Sequence, residues 1–575
     1  MEKVEKEKVE NVENKENVEN IENNVSILLE KHNKKIPNRV LFHWVERSTL
    51  QQWDFNQATP LVHQKMLLSE FVDLTQRLSY GLNQIGITKG DCVILFLPMD
   101  PWMYIAMASL QRLGAIPVFL DSWARRFHLA AAIEQVRPKA IISFPEALEL
   151  VKEWINNSTI PIAITWKSDW REAPKLENLV GEGRQSIQAV SPNHTALITF
   201  TTGSSGVPKG ADRTHRFLFS QHYALSRVIP YLDMDVDIPT FPIFSLNNIA
   251  TGIPTVLPAI DVGVPKDTDP VVLIGQMKAC QVTCMTLSPS LLNRLAQFAQ
   301  SNNIRLDHLR RVVTGGAPIT DHELEQFSNI APNSEIWVLY GSTEVEPIAH
   351  IEWKELRSLR RPHKTKLGVN VGHIDKGLRF KFLKPHRGPI SITNSRDWQL
   401  WEVAAGMPGE LCVSGEHVCE GYYNNPTAFQ KTKIKDIDGT IWHRTGDVGY
   451  LDENNYLWLV GRVHNAILRK GTYYFPVEPE GIIKRLPGIK KAAYLGISDP
   501  ELNERAVVAI SFSMPMTQDK QEDLFREIKE KLSLINYPVD DIFVLDKIPM
   551  DPRHHSKVEY DVLRKTIVDK INSHI

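Results

Sequence analysis

Beyond residue 90, short apolar runs alternate with longer stretches whose apolar positions recur every three or four residues. The run 92–97 predicts a buried strand, 102–113 an amphipathic helix, and 116–120 a second strand. A helix over 129–136 and a strand over 139–143 follow, and the same alternation returns at 271–278, 282–287, 290–300 and 309–314. Alternation of this kind predicts βαβ units and a largely parallel sheet, so the fold class is α/β. From Pro408 the pattern changes to short strands and Gly-rich turns, as in GELCVSG and GYLDENNYLWLVGR. The final segment reads strand 492–497, strand 506–512, helix 522–532, strand 542–545, a small α+β unit.

Two segments stand outside this pattern. Residues 1–25 are almost wholly Glu, Lys, Asn and Val. Their apolar positions drift with a helical period, which fits a weak coiled-coil arm, but the thin stripe and the many Asn favour a solvated tail. Residues 238–260 carry no charge and are long enough to cross a bilayer. Pro239, Pro242, Pro254, Pro258 and Gly252 interrupt them, so an irregular buried segment lining a cavity is the better expectation.

Composition narrows the function classes. The 575 residues hold 66 Lys+Arg against 68 Asp+Glu, a formal charge of −2, and 42% apolar residues. This supports a large core and gives no basic footprint for nucleic acid. The 5 cysteines are too few and too scattered for a disulfide framework, and the pair Cys280/Cys284 lacks partners for a zinc site. An acidic start with no apolar leader points to a cytoplasmic protein without a membrane span.

The strongest local chemistry is Thr201-Thr202-Gly203-Ser204-Ser205-Gly206-Val207-Pro208-Lys209-Gly210, which follows the apolar strand 196–200. Small hydroxyl and glycine residues let backbone and side-chain donors close around phosphate oxygens, and Lys209 adds a charge. Pro208 before the lysine and Gly210 after it exclude a Walker A loop. Taken singly, a Gly/Ser loop, a Thr-Gly-Asp turn or a lysine near the end of a chain is more often plain turn or surface chemistry.

The motifs together, in order, resemble the adenylate-forming superfamily of acyl-CoA synthetases, peptide-synthetase adenylation domains and luciferases. TTGSSGVPKG with Arg213-Thr214-His215 is similar to its phosphate loop. Gly315-Gly316-Ala317-Pro318 resembles the adenine-site loop, and Tyr340-Gly341-Ser342-Thr343-Glu344 the Y-G-x-T-E motif. Thr445-Gly446-Asp447 and Arg462 resemble the ribose motif and the approach to the hinge, and Lys557 stands where the family keeps its catalytic lysine. The resemblance spans about residues 35–565. It implies a large N-terminal domain (26–462) of βαβ-type subdomains plus a distorted β-barrel, and a mobile α+β lid (463–575) hinged at His464.

The implied reaction is attack of a carboxylate on the α-phosphate of ATP, giving acyl-AMP and pyrophosphate. The resemblance assigns Glu344 to Mg2+, Thr343 to the α-phosphate, Tyr340 to adenine, Asp447 to the ribose hydroxyls, and Lys557 to the attacking carboxylate and α-phosphate. ATP and Mg2+ are thus the implied cofactors, and coenzyme A is an acceptor that no motif indicates. An acyl pocket is expected from Phe244, Ser245 and Asn248 with Val345 and Glu346, their apolar wall suiting an alkyl chain.

Asp551-Pro552-Arg553-His554-His555-Ser556-Lys557 and Phe241-Pro242-Ile243-Phe244 resemble the D-x-R-H-x-x-K and F-P-x-F segments of the olefin β-lactone synthetase branch. That branch activates a 3-hydroxy fatty acid and lets its hydroxyl close a β-lactone. An acyl-CoA or acyl-carrier-protein ligase is the alternative. The aromatics Tyr473, Tyr474 and Phe475 after the hinge would narrow a pantetheine channel, unless they serve as packing. A nucleotide-binding protein without catalysis, or a kinase on another phosphate loop, are readings of a different class. The expected partner is a small carboxylic acid, with other biosynthetic enzymes as further candidates. His464, where the family has Asp or Lys, would make the hinge pH-sensitive if its pKa were ordinary, or simply be a tolerated polar residue.

Overall fold

A computed structural model of the chain describes residues 22–56, 59–120, 126–202, 208–261, 269–359, 368–550 and 558–573. The chain divides into two compact units. The first comprises Met1–Gly316, Thr320–Ile348 and Gly415–Gln430; the second comprises Ala317–Ile319, Ala349–Ser414 and Lys431–Ile575.

Within the first unit, one sheet runs Ile162–Thr165, Ala140–Ser143, Cys92–Phe96, Ile116–Phe119, Thr195–Thr202, Pro208–Thr214. Its first five strands are parallel and the last pair forms an antiparallel hairpin. Buried on both faces, the central strand reads CVILF, unbroken apolar sequence as a two-sided parallel strand requires. The crossover helix Pro101–Leu113 starts where Asp100 accepts from the Trp102 N–H at 3.0 Å, with proline at the first helical position. A second set of parallel strands runs Glu335–Ser342, Arg311–Gly315, Cys284–Leu287, Asp237–Pro239, Thr255–Val256, Val40–Trp44, and Gln64–Leu67 joins antiparallel at its end.

The charge-free segment 238–260 resolves into the end of the strand Asp237–Pro239, the helix Pro242–Thr251 and the short strand Thr255–Val256. Among the described residues no helix is long and apolar enough to cross a membrane.

The expected tail boundary at residue 25 shifts toward the N-terminus. Asn24 is fully buried, and its Nδ2 donates to the carbonyls of Gln111 (2.9 Å) and Gln188 (3.1 Å). The helix Ser26–Lys35 follows, and its Glu30 pairs with the largely buried Arg112 at 2.7 Å. One buried amide making two bonds outweighs the poor helix propensity of its neighbours.

In the second unit, antiparallel strands run Arg379–Leu383, Gly409–Ser414, Ile441–Leu451, Leu457–Arg462, Val369–Ile374. A three-stranded sheet, Ile489–Asp499, Asn503–Phe512 and Asp541–Val544, is accompanied by the helices Val477–Lys484, Gln518–Ser533 and Tyr560–Ser573. The helix Gln518–Ser533 buries Leu524, Ile528 and Leu532 at four-residue spacing, the periodicity that predicted it.

Candidate active site

In the first unit the hairpin Thr195–Thr202/Pro208–Thr214 pairs Thr201 with Lys209 and Thr202 with Pro208. The connection between these strands, containing Gly203, Ser204, Ser205 and Gly206, lies outside the described residues, as do the side chains of Thr201 and Thr202. The Thr-Thr/Pro-Lys-Gly motif is therefore the two ends of one hairpin, and its Ser/Gly centre is the hairpin's connection.

The second strand of the hairpin holds three motif residues in distinct roles. Buried Arg213 donates from Nη2 to the carbonyl of Thr343 at 2.6 Å. Thr214 caps the helix His215–Val228 by accepting from the Phe217 N–H at 3.1 Å. His215 is fully buried and accepts from the Val25 N–H through Nδ1 at 3.1 Å, and burial pushes its ring down to about 3.

Glu344 receives a hydrogen bond from the Tyr422 hydroxyl on Oε1 at 2.7 Å. The Lys209 Nζ stands 5.8 Å from the centre of the Tyr422 ring, within cation–π range. The segment Gly415–Gln430 reaches this place by backbone pairing: Tyr422 bridges Ala211, Val418 bridges Val345, and the Cys419 N–H donates to the Glu344 carbonyl at 2.7 Å. The hairpin, the Thr343-Glu344 turn and Tyr422 thus form one cluster. Tyr422 has no local signal; it lies 78 residues from Glu344, and only the folded backbone pairs them.

Gly315 and Leu339 are register partners on adjacent parallel strands, which places the Gly315-Gly316 turn beside Tyr340. A Cβ on Gly315 would stand 2.3 Å from the Leu339 carbonyl oxygen, so only glycine fits there. Gly341 is similarly hemmed in, with Glu346 Cγ 3.2 Å from where its Cβ would be. Ser342 Oγ is buried, with no hydrogen-bond partner among the described residues. Burial raises the Glu346 carboxyl to about 7, against the pull of the Arg213 guanidinium. Val345 is fully buried.

The helix Pro242–Thr251 splits the expected acyl-pocket residues from the open space. Phe244 packs with Leu225, Val313 and Leu339. Asn248 is fully buried and donates to Asp237 Oδ2 at 2.7 Å, and Ser245 is fully buried too. A cavity lies along the same helix at Ile243, Leu246 and Asn247.

In the second unit Asp447 and Arg462 are cross-strand partners, with Arg462 Nε 2.7 Å from Asp447 Oδ1. The turn beneath is anchored by a buried ion pair: Arg444 donates to Glu410 Oε2 at 2.6 and 3.0 Å and also reaches the Gly388 and His386 carbonyls. Thr445 Oγ1 donates to the Leu411 carbonyl at 2.8 Å and accepts from the Asp447 N–H at 3.1 Å. Motif matching singled out Asp447 and missed the buried Arg444–Glu410 pair beneath its turn. Ala317 and Pro318 are assigned to this unit, while Lys557 lies outside the described residues.

The expectation for His464 changes. It sits in the turn Val463–Asn465, where burial, then the charges of Arg462 and Arg387, lower its pKa to about 4 despite Asp447 and Asp561. The ring is neutral at physiological pH in this arrangement, so it is no switch near neutrality. Tyr474 packs on Tyr537 with ring centroids 5.6 Å apart, and Phe475 is buried among Val448, Val460 and Val463. Both aromatics are packing residues here.

The hairpin and the Thr343-Glu344 turn of the first unit, and the Thr445-Gly446-Asp447 turn of the second, carry the motifs that resemble adenylate-forming enzymes, and comparison with known proteins shows that class. The chain belongs to the AMP-binding enzyme family, whose profile matches residues 54–423. It is 30% identical over 429 residues to an olefin beta-lactone synthetase of Stenotrophomonas maltophilia, covering 72% of this chain and 76% of that one. It is 24% identical to 4-coumarate–CoA ligase 3 of Oryza sativa, covering 84% of each. The fold is similar to O-succinylbenzoate coenzyme A synthetase of Bacillus subtilis, solved with ATP and magnesium ion. The TM-score is 0.71 at 18% identity, covering 93% of this chain and 99% of that one.

Proposed function

We propose that the chain activates a fatty or 3-hydroxy fatty acid with ATP and converts the 3-hydroxy acyl-AMP to a β-lactone. The carboxylate attacks the α-phosphate and pyrophosphate leaves; the 3-hydroxyl then attacks the acyl carbon, loses its proton, and AMP departs. Proximity supplies the second nucleophile, so no acceptor need bind. The observation that carries the adenylation step is the cluster of Lys209, Tyr422 and Glu344 beside the phosphate-loop hairpin, with Arg213 fixing Thr343.

Negative charge grows on phosphate oxygens in this reaction, and fixed donors and cations placed there lower the barrier. Lys209 and the loop 203–206 hold the phosphates in this reading, with Thr343 on the α-phosphate. Glu344 would hold Mg2+: a carboxylate oxygen suits that hard cation, and the Tyr422 hydroxyl fixes the carboxylate's orientation. Bound there, the ion would neutralise phosphate charge. Tyr340 and the Gly315-Gly316-Ala317-Pro318 loop take adenine, Asp447 takes the ribose hydroxyls with Arg462 orienting it, and Lys557 meets the carboxylate. Residues 463–575 act as the mobile lid on a body formed by 26–462.

The lactone step is supported by the likeness to an olefin beta-lactone synthetase. A coenzyme A ligase stands second, favoured by the packing of Tyr474 and Phe475 away from any channel role. Mass spectrometry of products from fatty and 3-hydroxy fatty acids, with and without coenzyme A, separates the two. A product equal to the 3-hydroxy acid minus water, formed without coenzyme A, is the expected result. A thioester formed only with coenzyme A overturns the lactone step. Absence of acid-dependent pyrophosphate–ATP exchange overturns adenylation itself. Lys557→Ala is expected to abolish that exchange while leaving nucleotide binding intact.

A further inference from the structure

The Thr343-Glu344 turn joins two neighbouring strands of one sheet, Glu335–Ser342 and Val345–Glu352. A two-residue connection makes such strands antiparallel, so Gly341 and Glu346 face each other across the pair. A Cβ on Gly341 would stand 3.2 Å from Glu346 Cγ and 3.3 Å from Glu346 Cα. The glycine therefore leaves the space over this pair to the glutamate side chain. By strand alternation Gly341 shares a face with Leu339, which packs with Phe244 of the helix Pro242–Thr251.

Glu346 keeps some exposure although both its chain neighbours, Val345 and Pro347, are buried. Among the described residues no group hydrogen-bonds its carboxyl, whereas Glu344 takes the Tyr422 hydroxyl at 2.7 Å. The charge of Arg213 acts on both carboxyls. That guanidinium is buried, gives Nη2 to the Thr343 carbonyl, and leaves Nε and Nη1 without a partner among the described residues. Polar groups so far from bulk water are normally paired, and one left open at a site marks a place that something else completes.

Charge and register narrow what meets Glu346. A carboxyl oxygen accepts a hydrogen bond whether or not the group is ionised, so the complement is a donor. An ammonium would be repelled by the Arg213 charge, and a neutral O–H group would not. At a rise of about 3.4 Å per residue, Glu346 lies about 7 Å along the strand from Glu344. In the acid-activation reading the carboxyl end of the substrate stands at the Thr343-Glu344 turn. A hydroxyl two carbons from the carboxyl, extended by a hydrogen bond of about 2.8 Å, spans a gap of that order; one at the far end of a long chain does not.

We infer that Glu346 is the specificity-determining residue for a 3-hydroxy acid, accepting a hydrogen bond from the 3-hydroxyl. The inference rests on the acid-activation reading for the position of the carboxyl end. It gives the two glutamates of Thr343-Glu344-Val345-Glu346 separate tasks: Glu344 serves the nucleotide, and Glu346 serves the acid. A site built to hydrogen-bond a hydroxyl discriminates strongly against the analogue that lacks it.

Dodecanoic, 3-hydroxydodecanoic and 12-hydroxydodecanoic acids share one chain length and differ in the presence and place of a hydroxyl. Each is assayed with the full chain for kcat/KM of acid-dependent pyrophosphate release, and for binding by calorimetry beside a non-hydrolysable ATP analogue. The unmutated protein is expected to favour the 3-hydroxy acid over dodecanoic acid about ten-fold or more, the scale of one hydrogen bond to a carboxylate. The 12-hydroxy acid should gain nothing of the kind. Glu346→Leu is expected to bring the ratio toward one, and Glu346→Gln, which keeps an acceptor oxygen, to lower it only in part. A ratio near one in the unmutated protein, an equal preference for the 12-hydroxy acid, or a ratio unchanged in every variant that folds overturns the inference. A structural role would lower the rates with all three acids alike and leave the ratio in place. Preferential binding of the 3-hydroxy acid that Glu346→Leu abolishes, without pyrophosphate release from any acid, keeps Glu346 as the reader and overturns the activation reading. Pyrophosphate release with no preference does the reverse, and neither binding nor release overturns both.

Discussion

The Thr343-Glu344 turn of the first unit and the Thr445-Gly446-Asp447 turn of the second are stabilised in opposite ways. In the first, the bonds fall on the turn itself: Arg213 holds the Thr343 backbone carbonyl and Tyr422 holds the Glu344 carboxylate. In the second, the strong bonds lie underneath, in the buried Arg444–Glu410 pair, while Asp447 meets an Arg462 whose side chain is 45% exposed. Exposed ion pairs contribute little to stability, whereas breaking a buried one leaves an unpaired charge. The first turn should therefore fail in rate when altered, and the second in stability.

The sharpest test of that contrast is Arg444→Met, which strands the Glu410 carboxylate where burial already raises its pKa. A loss of about 3–5 kcal/mol is expected, read as a lower denaturation midpoint. A midpoint unchanged by this variant would erase the distinction. Next comes Glu344→Ala, expected to lower kcat/KM for pyrophosphate release by about 10²–10³ with the midpoint nearly unmoved. A large stability loss with a small rate loss would instead make Glu344 a packing residue.

Tyr422→Phe removes one hydroxyl from a carboxylate and keeps the ring beside Lys209. Bonds to charged groups are worth about 1.5–3 kcal/mol, so a fall in rate of about ten- to a hundred-fold is expected, with a higher Mg2+ requirement. A fall in rate at unchanged Mg2+ dependence would separate Tyr422 from the ion. Arg462→Ala should cost at most about 1 kcal/mol of stability and raise KM for ATP a few-fold. A stability loss matching that of Arg444→Met would show that the exposed pair carries the turn after all.

How much of this was legible beforehand follows a physical line. The helix over 102–113, the strand at 92–97 and the β-β-α-β end are set by local periodicity, and the structure places elements there with ends shifted by a few residues. Glu344 and Asp447 were legible as candidates because their motifs are contiguous in the sequence. Tyr422, Arg444 and the burial of Asn24 were not, because each matters through a partner far along the chain. Asn248, expected in the pocket wall from the charge-free segment, donates to the buried strand carboxylate of Asp237, a long-range pairing that local sequence does not display.

His464 yields the smallest effect. Its pKa is about 4 here, against an ordinary value near 6.5 in an unfolded chain. Between those values the unfolded chain binds the extra proton, so the neutral ring's contribution is whole above about pH 6.5 and is lost as pH falls toward 4. Lowering the pH from about 7 to about 5 should therefore destabilise the unmutated protein more than His464→Gln, measured as the difference between their midpoints. The two should give the same profile of pyrophosphate release above pH 6.5. The reason is specific to this arrangement: the ring is screened from water, and the charges of Arg462 and Arg387 add to that effect of burial. A step in the unmutated protein's rate near pH 6.5, absent from His464→Gln, would mean that the ring is solvent-exposed in the rate-limiting state. That result would assign His464 to a different conformation from the one described, and would restore to it the pH sensitivity that burial removes here.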